Sequence, residues 1–168
     1  MIEYESLSCT NASIMDELEA VSAKVIRNGW YILGEEVKLF EEEFAKFIGT
    51  NHCIGVGNGL DALILSLVAL DLPLGSDVLV ASNTYIATIL AIIRAGYCPI
   101  LVEPDPKTFN IDPSRLCDAI TPNTHAICVT HLFGKACDMD QIGAFAKDFN
   151  LKLIEDCAQS HGAQLGSK

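Results

Sequence analysis

From His52 onward the chain repeats one unit: a short run that is apolar almost throughout, a polar turn, then a stretch with helical spacing. The runs are "CIGVG", "DVLVAS", "PILVE", "HAICVTH" and "LKLIEDC". Helices are predicted at about Leu60–Leu72, Tyr85–Ala95, Pro113–Ile120 and Met139–Phe149. A strand with apolar residues on both faces must be covered on both faces, and strands joined through helices run parallel. The expected fold class is therefore α/β, a mostly parallel sheet with flanking helices. Asp112-Pro113 and Asp138 supply good helix starts. No internal repeat or linker interrupts the rhythm.

Two amphipathic helices are predicted ahead of it. In "SIMDELEAVSAKVIRNG", Ile14, Leu18, Val21 and Val25 recur at helical spacing, Ser13 with Asp16 resembles an N-cap pair, and Asn28-Gly29 supplies the stop. In "GEEVKLFEEEFAKFIG", Val37, Phe40, Phe44, Phe47 and Ile48 share a face, acids enrich the first half, and Gly49 closes it. The three phenylalanines read as core or interface contacts. Residues 1–50 thus form an N-terminal helical segment, and 51–168 the α/β part.

Composition excludes several classes of partner. The 168 residues suffice for one sizeable core, with half of them hydrophobic and a fifth charged. The net charge of −11, with no Lys/Arg run, argues against nucleic acid and anionic membrane, which are held by clustered cations. It leaves room for an anionic small molecule, because helix N-termini hold phosphate without net positive charge. The N-terminus "MIEYESLSC" lacks the basic flank and apolar core of a secretory signal, and the apolar runs near Leu63–Leu70 and Ile86–Ile93 are too short to span a bilayer. The expected location is cytoplasmic. Seven cysteines (Cys9, Cys53, Cys98, Cys117, Cys128, Cys137, Cys157) make no C-x-x-C pair and are odd in number, so buried free thiols are expected. Asp156 with His131, Cys137, Asp138 and His161 could sketch a metal site, but the spacing fits no ligand pattern and no metal is expected.

Polar sequence gathers where the strands finish: "GNGLD", "SNTY", "EPD", "HLFG" and "EDCAQS". In an open α/β sheet the ligand site lies outside the carboxyl ends of the strands. "GVGNGLDA" is no dinucleotide fingerprint, since Leu60 stands where the third glycine belongs and the next strand ends in Ala81-Ser82 rather than an acid. Gly59 is either part of a bare turn or lets helix-start amides approach a phosphate. Tyr85 either anchors its helix or lies flat against a planar cofactor. Asp156 either caps a turn or faces a pyridinium nitrogen. In that second role the carboxylate keeps the ring protonated, as the electron-sink chemistry of pyridoxal phosphate requires. Gln159, one turn on, is then placed to bond the cofactor's phenolic oxygen.

A phosphate-cradling turn, a stacking aromatic and a strand-end aspartate in this order resemble the aspartate-aminotransferase fold. "GWYILGEEVKLFEEEFAKFIG", "VGNGLDAL", "SNTYIAT", "D-P-x-T-F-N-I-D-P", "HLFGKACDMD" and "IEDCAQSHGA" resemble the DegT/DnrJ/EryC1/StrS sugar aminotransferases from about Gly29 to the last residue. "GWYILG" with "NGLDAL" resembles the branch that aminates dTDP-3-keto-6-deoxyhexoses, with glutamate as donor. The resemblance implies pyridoxal 5'-phosphate as cofactor, a nucleotide-sugar substrate and a homodimer. It carries over phosphate-binding amides to Gly59 and Leu60, ring stacking to Tyr85, the nitrogen partner to Asp156 and the phenolic contact to Gln159. His131 and His161 lie in family motifs without an assigned role. Lys135 stands where the family more often has Gln and reads as a solvated loop lysine.

The family's Schiff-base lysine lies in an aromatic-Ser-x-x-x-x-Lys context. None of Lys24, Lys38, Lys46, Lys107, Lys135, Lys147, Lys152 and Lys168 has it, so that residue is expected beyond Lys168. The chain then corresponds to the N-terminal part of the large domain, without its remainder or the small C-terminal domain, and is expected to be inactive alone. Two other readings stay open: a sugar dehydratase of the same family, with His at the lysine position, and a noncatalytic interaction fragment.

Overall fold

The computed structural model describes residues 6–166. Residues 1–5, which open the "MIEYESLSC" stretch, and Lys168 therefore lie outside the described residues. The backbone divides into two compact units between Gly55 and Val56.

The first unit contains α1 (Leu7–Asn11), a 3₁₀ turn (Ala12–Ile14), α2 (Met15–Asn28) and α3 (Glu35–Ile48). The two long helices end where the sequence announces it. Gly29 and Gly49 take left-handed φ values of 70° and 81°, and their amides return to the carbonyls of Val25 and Ala45. The N-cap pair of Ser13 and Asp16 does not form. Ser13 lies inside the 3₁₀ turn, and Ile14 occupies the N-cap without a side-chain bond. The backbone ahead of it already coils, so there is no extended residue at Ser13 for a side chain to cap. Phe40, Phe44 and Phe47 form a ladder along α3, with ring centroids 5.4 and 6.2 Å apart.

The "CIGVG" run is not a strand. A strand needs a neighbour for its amides and carbonyls, and neither edge of the described sheet takes this segment. The Gly55 amide goes to Glu41 Oε1 at 2.6 Å instead, and Ile54 stays exposed.

The second unit alternates as expected: α4 (Gly59–Ala69), β1 (Asp77–Ala81), α5 (Ile86–Arg94), β2 (Cys98–Val102), α6 (Leu116–Ala119), β3 (Thr124–Thr130), α7 (Met139–Asp148) and β4 (Lys152–Asp156). The helix predicted over Pro113–Ile120 splits into a 3₁₀ turn (Pro113–Arg115) and the single turn of α6. Asp112 starts that turn and Asp138 starts α7, each accepting a backbone amide. The four strands pair in parallel in the order β2-β1-β3-β4. Alternation along the strands feeds two cores. Leu79, Ala81, Ile127 and Val129 pack with Leu116 of α6 and Ile142 and Ala146 of α7. Val78, Val80, Ala126 and Cys128 pack with Leu63 and Leu67 of α4 and Ala91 and Ile92 of α5. Each fully buried Val, Leu or Ile contributes roughly 1.5–3 kcal/mol, which is what holds the strand ends in register.

The seven cysteines are free, but only Cys128 and Cys137 are buried; Cys9, Cys98, Cys117 and Cys157 are exposed and Cys53 is half-buried. The expectation of buried thiols fails because Cys98 lies on the open edge strand β2, and Cys9, Cys117 and Cys157 lie outside the strands. Among the described residues, no helix is long and apolar enough to cross a membrane.

Candidate active site

The strand order positions the site. After β1 the chain moves to one side to make β2, then returns to build β3 on the other side of β1. Ligands of open α/β sheets bind at such a switch, outside the carboxyl ends of the strands. Here those ends are Ala81, Thr130 and Asp156, the last two being direct partners in the β3–β4 register.

A cavity of about 450 Å³ opens at this edge. Gly59, Leu60, Tyr85, Asp156 and Gln159, the five residues singled out in the sequence, all line it, together with Asn58 and Thr130. Lys135 is exposed and lines a different cavity.

Each wall has a local cause. Asn58 caps α4: its Oδ1 accepts the Asp61 amide at 2.9 Å, its Nδ2 donates to Asp61 Oδ2 at 2.9 Å, and its carbonyl accepts the Ala62 amide. Of the four amides a helix start leaves without intrahelical partners, that of Asp61 is satisfied by the Asn58 side chain. Those of Gly59 and Leu60 remain unspent at the cavity wall. A Cβ built on Gly59 meets nothing within 4 Å, so the approach to these amides is open. Tyr85 is the residue before α5, in extended conformation, with 66% of its surface exposed.

The two adjacent carboxylates of β4 part company because strand residues alternate faces. Asp156 lines the cavity and is 8% exposed. Its Oδ2 accepts the Thr88 hydroxyl at 2.9 Å and its Oδ1 the Ala158 amide at 3.2 Å. Gln159 Oε1 accepts the Phe133 amide at 2.7 Å, which identifies the amide's two ends and leaves its Nε2 donors unspent.

Glu155 serves His131, in a separate cavity of about 600 Å³ that includes Cys157. His131 is buried; its Nε2 lies 3.0 Å from Glu155 Oε2, and its Nδ1 accepts the Cys137 amide at 3.0 Å. The hydrogen bond to His131 draws the Glu155 pKa down against its partial burial. The neighbouring Cys137 and Cys157 side chains, with Glu155, pull His131 up towards its charged form, while burial opposes them. The Cys137 amide decides the matter, because an imidazolium has no acceptor to offer it and the Cys137 sulfhydryl is already given to the Thr130 carbonyl. The ring is neutral, with its proton on Nε2. Cys128 is held as an inert thiol: burial first, then the Asp156 charge, push it up to about 12.

Sequence reasoning missed three hydroxyls. Thr84 Oγ1 lies 2.8 Å from Thr130 Oγ1 and 3.2 Å from Thr88 Oγ1. The signal was present: Thr84 and Thr88 stand four apart across a helix start, hence on one face. It also missed Asn110, a buried side chain that receives the Leu132 amide and donates to the Lys135 carbonyl, fastening the loop after β3.

Comparison with known proteins follows the same outline. The model of the DegT/DnrJ/EryC1/StrS aminotransferase family matches residues 12–168. A dTDP-3-amino-3,6-dideoxy-alpha-D-galactopyranose transaminase of Aneurinibacillus thermoaerophilus is 51% identical over 168 residues, all of this chain and 46% of that protein. Among solved structures, S. venezuelae DesV in complex with a ketimine intermediate superposes with TM-score 0.92 at 37% identity, over 99% of this chain and 46% of its own. NtdA of Bacillus subtilis, with bound cofactor PMP, gives 0.84 at 35% identity, over 88% of this chain and 35% of its own. The chain spans about half the length of the curated relatives it matches.

Proposed function

Because the chain belongs to the DegT/DnrJ/EryC1/StrS aminotransferase family, we propose that the whole protein is a pyridoxal 5'-phosphate-dependent aminotransferase of nucleotide sugars. Its substrate is a dTDP-3-keto-6-deoxyhexose and its amino donor glutamate. The observation that supports this most is the convergence of Gly59, Leu60, Tyr85, Asp156 and Gln159 on one cavity. The 3-position is supported by the 51% identical relative, whose name is that of a 3-amino sugar transaminase.

The residues present fit the cofactor. Two unspent amides at the start of an eleven-residue helix suit a phosphate. A buried carboxylate with both oxygens hydrogen-bonded suits a protonated ring nitrogen, and the Gln159 Nε2 donors suit an oxygen acceptor. When bound, the cofactor supplies an electron sink for the carbon beside its ring. The chain's own part is to hold the phosphate at Gly59 and Leu60, cover one ring face with Tyr85, and keep the ring nitrogen protonated with Asp156. The lysine that moves protons belongs to the whole protein beyond these residues, so residues 1–168 alone do not transaminate. The exposed apolar faces of α2 and α3 support a homodimer.

In the whole protein, Asp156→Ala lowers turnover by orders of magnitude while circular dichroism stays native. A near-normal rate overturns the assignment. Assay against 3-keto and 4-keto nucleotide sugars tests the branch, and activity confined to 4-keto substrates overturns it.

A further inference from the structure

Three threonines, one of them lining the cavity, are connected in a way the proposed function does not require. Thr88 is fully buried and donates its only hydroxyl proton to Asp156 Oδ2 at 2.9 Å. It therefore accepts at its second contact, so Thr84 donates to Thr88 across 3.2 Å. Thr84 has then spent its proton as well, and the 2.8 Å contact with Thr130 has a single direction, Thr130 donating to Thr84. One carboxylate thus orients three hydroxyls that come from three parts of the chain: the end of β3, the turn after β1, and the first turn of α5.

We propose that Thr88, Thr84 and Thr130 are positioning residues, a one-way hydroxyl chain that ends on Asp156 and holds its carboxylate fixed at the cavity wall. The physical need is plain. A buried carboxylate is costly unless it is hydrogen-bonded, and the partners of Asp156 are the Thr88 hydroxyl and the Ala158 amide, neither of them a cation. Each hydroxyl in a chain polarises the next, so Thr88 is a stronger donor with Thr84 behind it than alone. The far end carries a second consequence. Thr130 lines the cavity with its proton already committed, so its oxygen presents only an acceptor there and favours a ligand group that donates.

The link to pyridoxal phosphate rests on the proposed function; the chain itself does not. The experiment therefore has two arms. In the first, the protein is labelled with ¹³C at the aspartate carboxyl, no cofactor is added, and infrared difference spectra are taken at neutral pH. Thr88→Val shifts the Asp156 carboxylate stretch, Thr84→Val shifts it less and Thr130→Val least, whereas Thr88→Ser restores the parent band. A purely structural role for Thr88 gives no such gradient. A Thr88→Val spectrum equal to the parent overturns the proposal, as does a Thr130→Val shift exceeding that of Thr88→Val. Should Thr88→Val not fold, Thr88→Ser and the Thr84 and Thr130 variants still read the gradient.

In the second arm, pyridoxal phosphate is titrated into the whole protein and followed by its absorbance. Thr88→Val weakens binding about tenfold, the order expected for one hydrogen bond to a charged group, and Thr88→Ser recovers it. Unchanged affinity in Thr88→Val alongside a strong loss in Asp156→Ala overturns the chain's role towards the cofactor. Unchanged affinity in Asp156→Ala overturns the proposed function instead, and the infrared arm still decides the chain.

Discussion

The two compact units use the same apolar periodicity to different ends. In the second, every buried strand position finds a partner nearby: Leu79 and Ile127 meet α6 and α7, and Val80 and Cys128 meet α4 and α5. In the first, only Gly34 and Ala45 are buried among the described residues, while Val21, Trp30, Ile32, Phe40 and Phe47 are exposed. A hydrophobic stripe says that a face is to be covered; it does not say by what. The sheet's strands and helices cover one another, whereas the faces of α2 and α3 stay uncovered among the described residues.

The sharpest way to break that contrast is truncation. Ile127→Ala leaves a void between packed layers and lowers stability by about 2–5 kcal/mol. Phe47→Ala, at an exposed position on α3, changes it by no more than about 0.5 kcal/mol. Urea unfolding of both variants measures the gap, and equal losses would mean that α3 is packed in solution.

A second difference lies at the helix starts. Asn58 and Asp138 cap their helices with side chains, but α2 and α3 begin on Ile14 and Gly34 without one. Serine is ordinarily the better N-cap. At Gly34 it fails, because a Cβ there falls 2.9 Å from the Trp30 carbonyl oxygen. Gly34→Ser therefore destabilises the chain, by about 1–3 kcal/mol. Asn58→Ala removes a working cap and costs about 1 kcal/mol. Thermal melts rank the two, and a stabilised Gly34→Ser would show that the Trp30 turn yields.

How legible each part was follows from the same physics. Four of the five expected strands were readable because each is apolar on both faces and finds neighbours within the chain. "CIGVG" carries the same signal and misleads, since pairing is a property of two segments and composition reports only one. That Gly59, Tyr85 and Asp156 share one cavity wall was legible, because they fall at strand ends and helix starts on one edge of the sheet. Thr84, Thr88 and Thr130 were not, because a threonine is ordinary anywhere and its role here depends on a register between β1, β3 and β4. Ser13 looked like a cap because local pattern cannot show that the preceding turn is already helical.

The smallest expected effect concerns the other face of β4, where Glu155 serves His131. The folded pKa of Glu155 lies below its ordinary value, chiefly through the hydrogen bond from His131. Such a group contributes stability that is fully present above the unfolded carboxylate pKa and is lost as pH falls through the lower folded value. The loss therefore falls on the acid limb of the stability curve. Half of the Glu155 side chain is exposed, so solvent screens the contribution to less than about 0.5 kcal/mol. Glu155→Gln keeps the shape and an acceptor for Nε2–H but does not titrate, so its acid limb is flatter by that amount. The same pair makes a second, qualitative demand. With the Cys137 amide on Nδ1, imidazole ¹⁵N shifts at pH 7 report a neutral ring protonated at Nε2. An imidazolium signature would mean that this amide has let go, freeing the loop from Thr130 to Cys137 that β3 and Asn110 otherwise hold against the site.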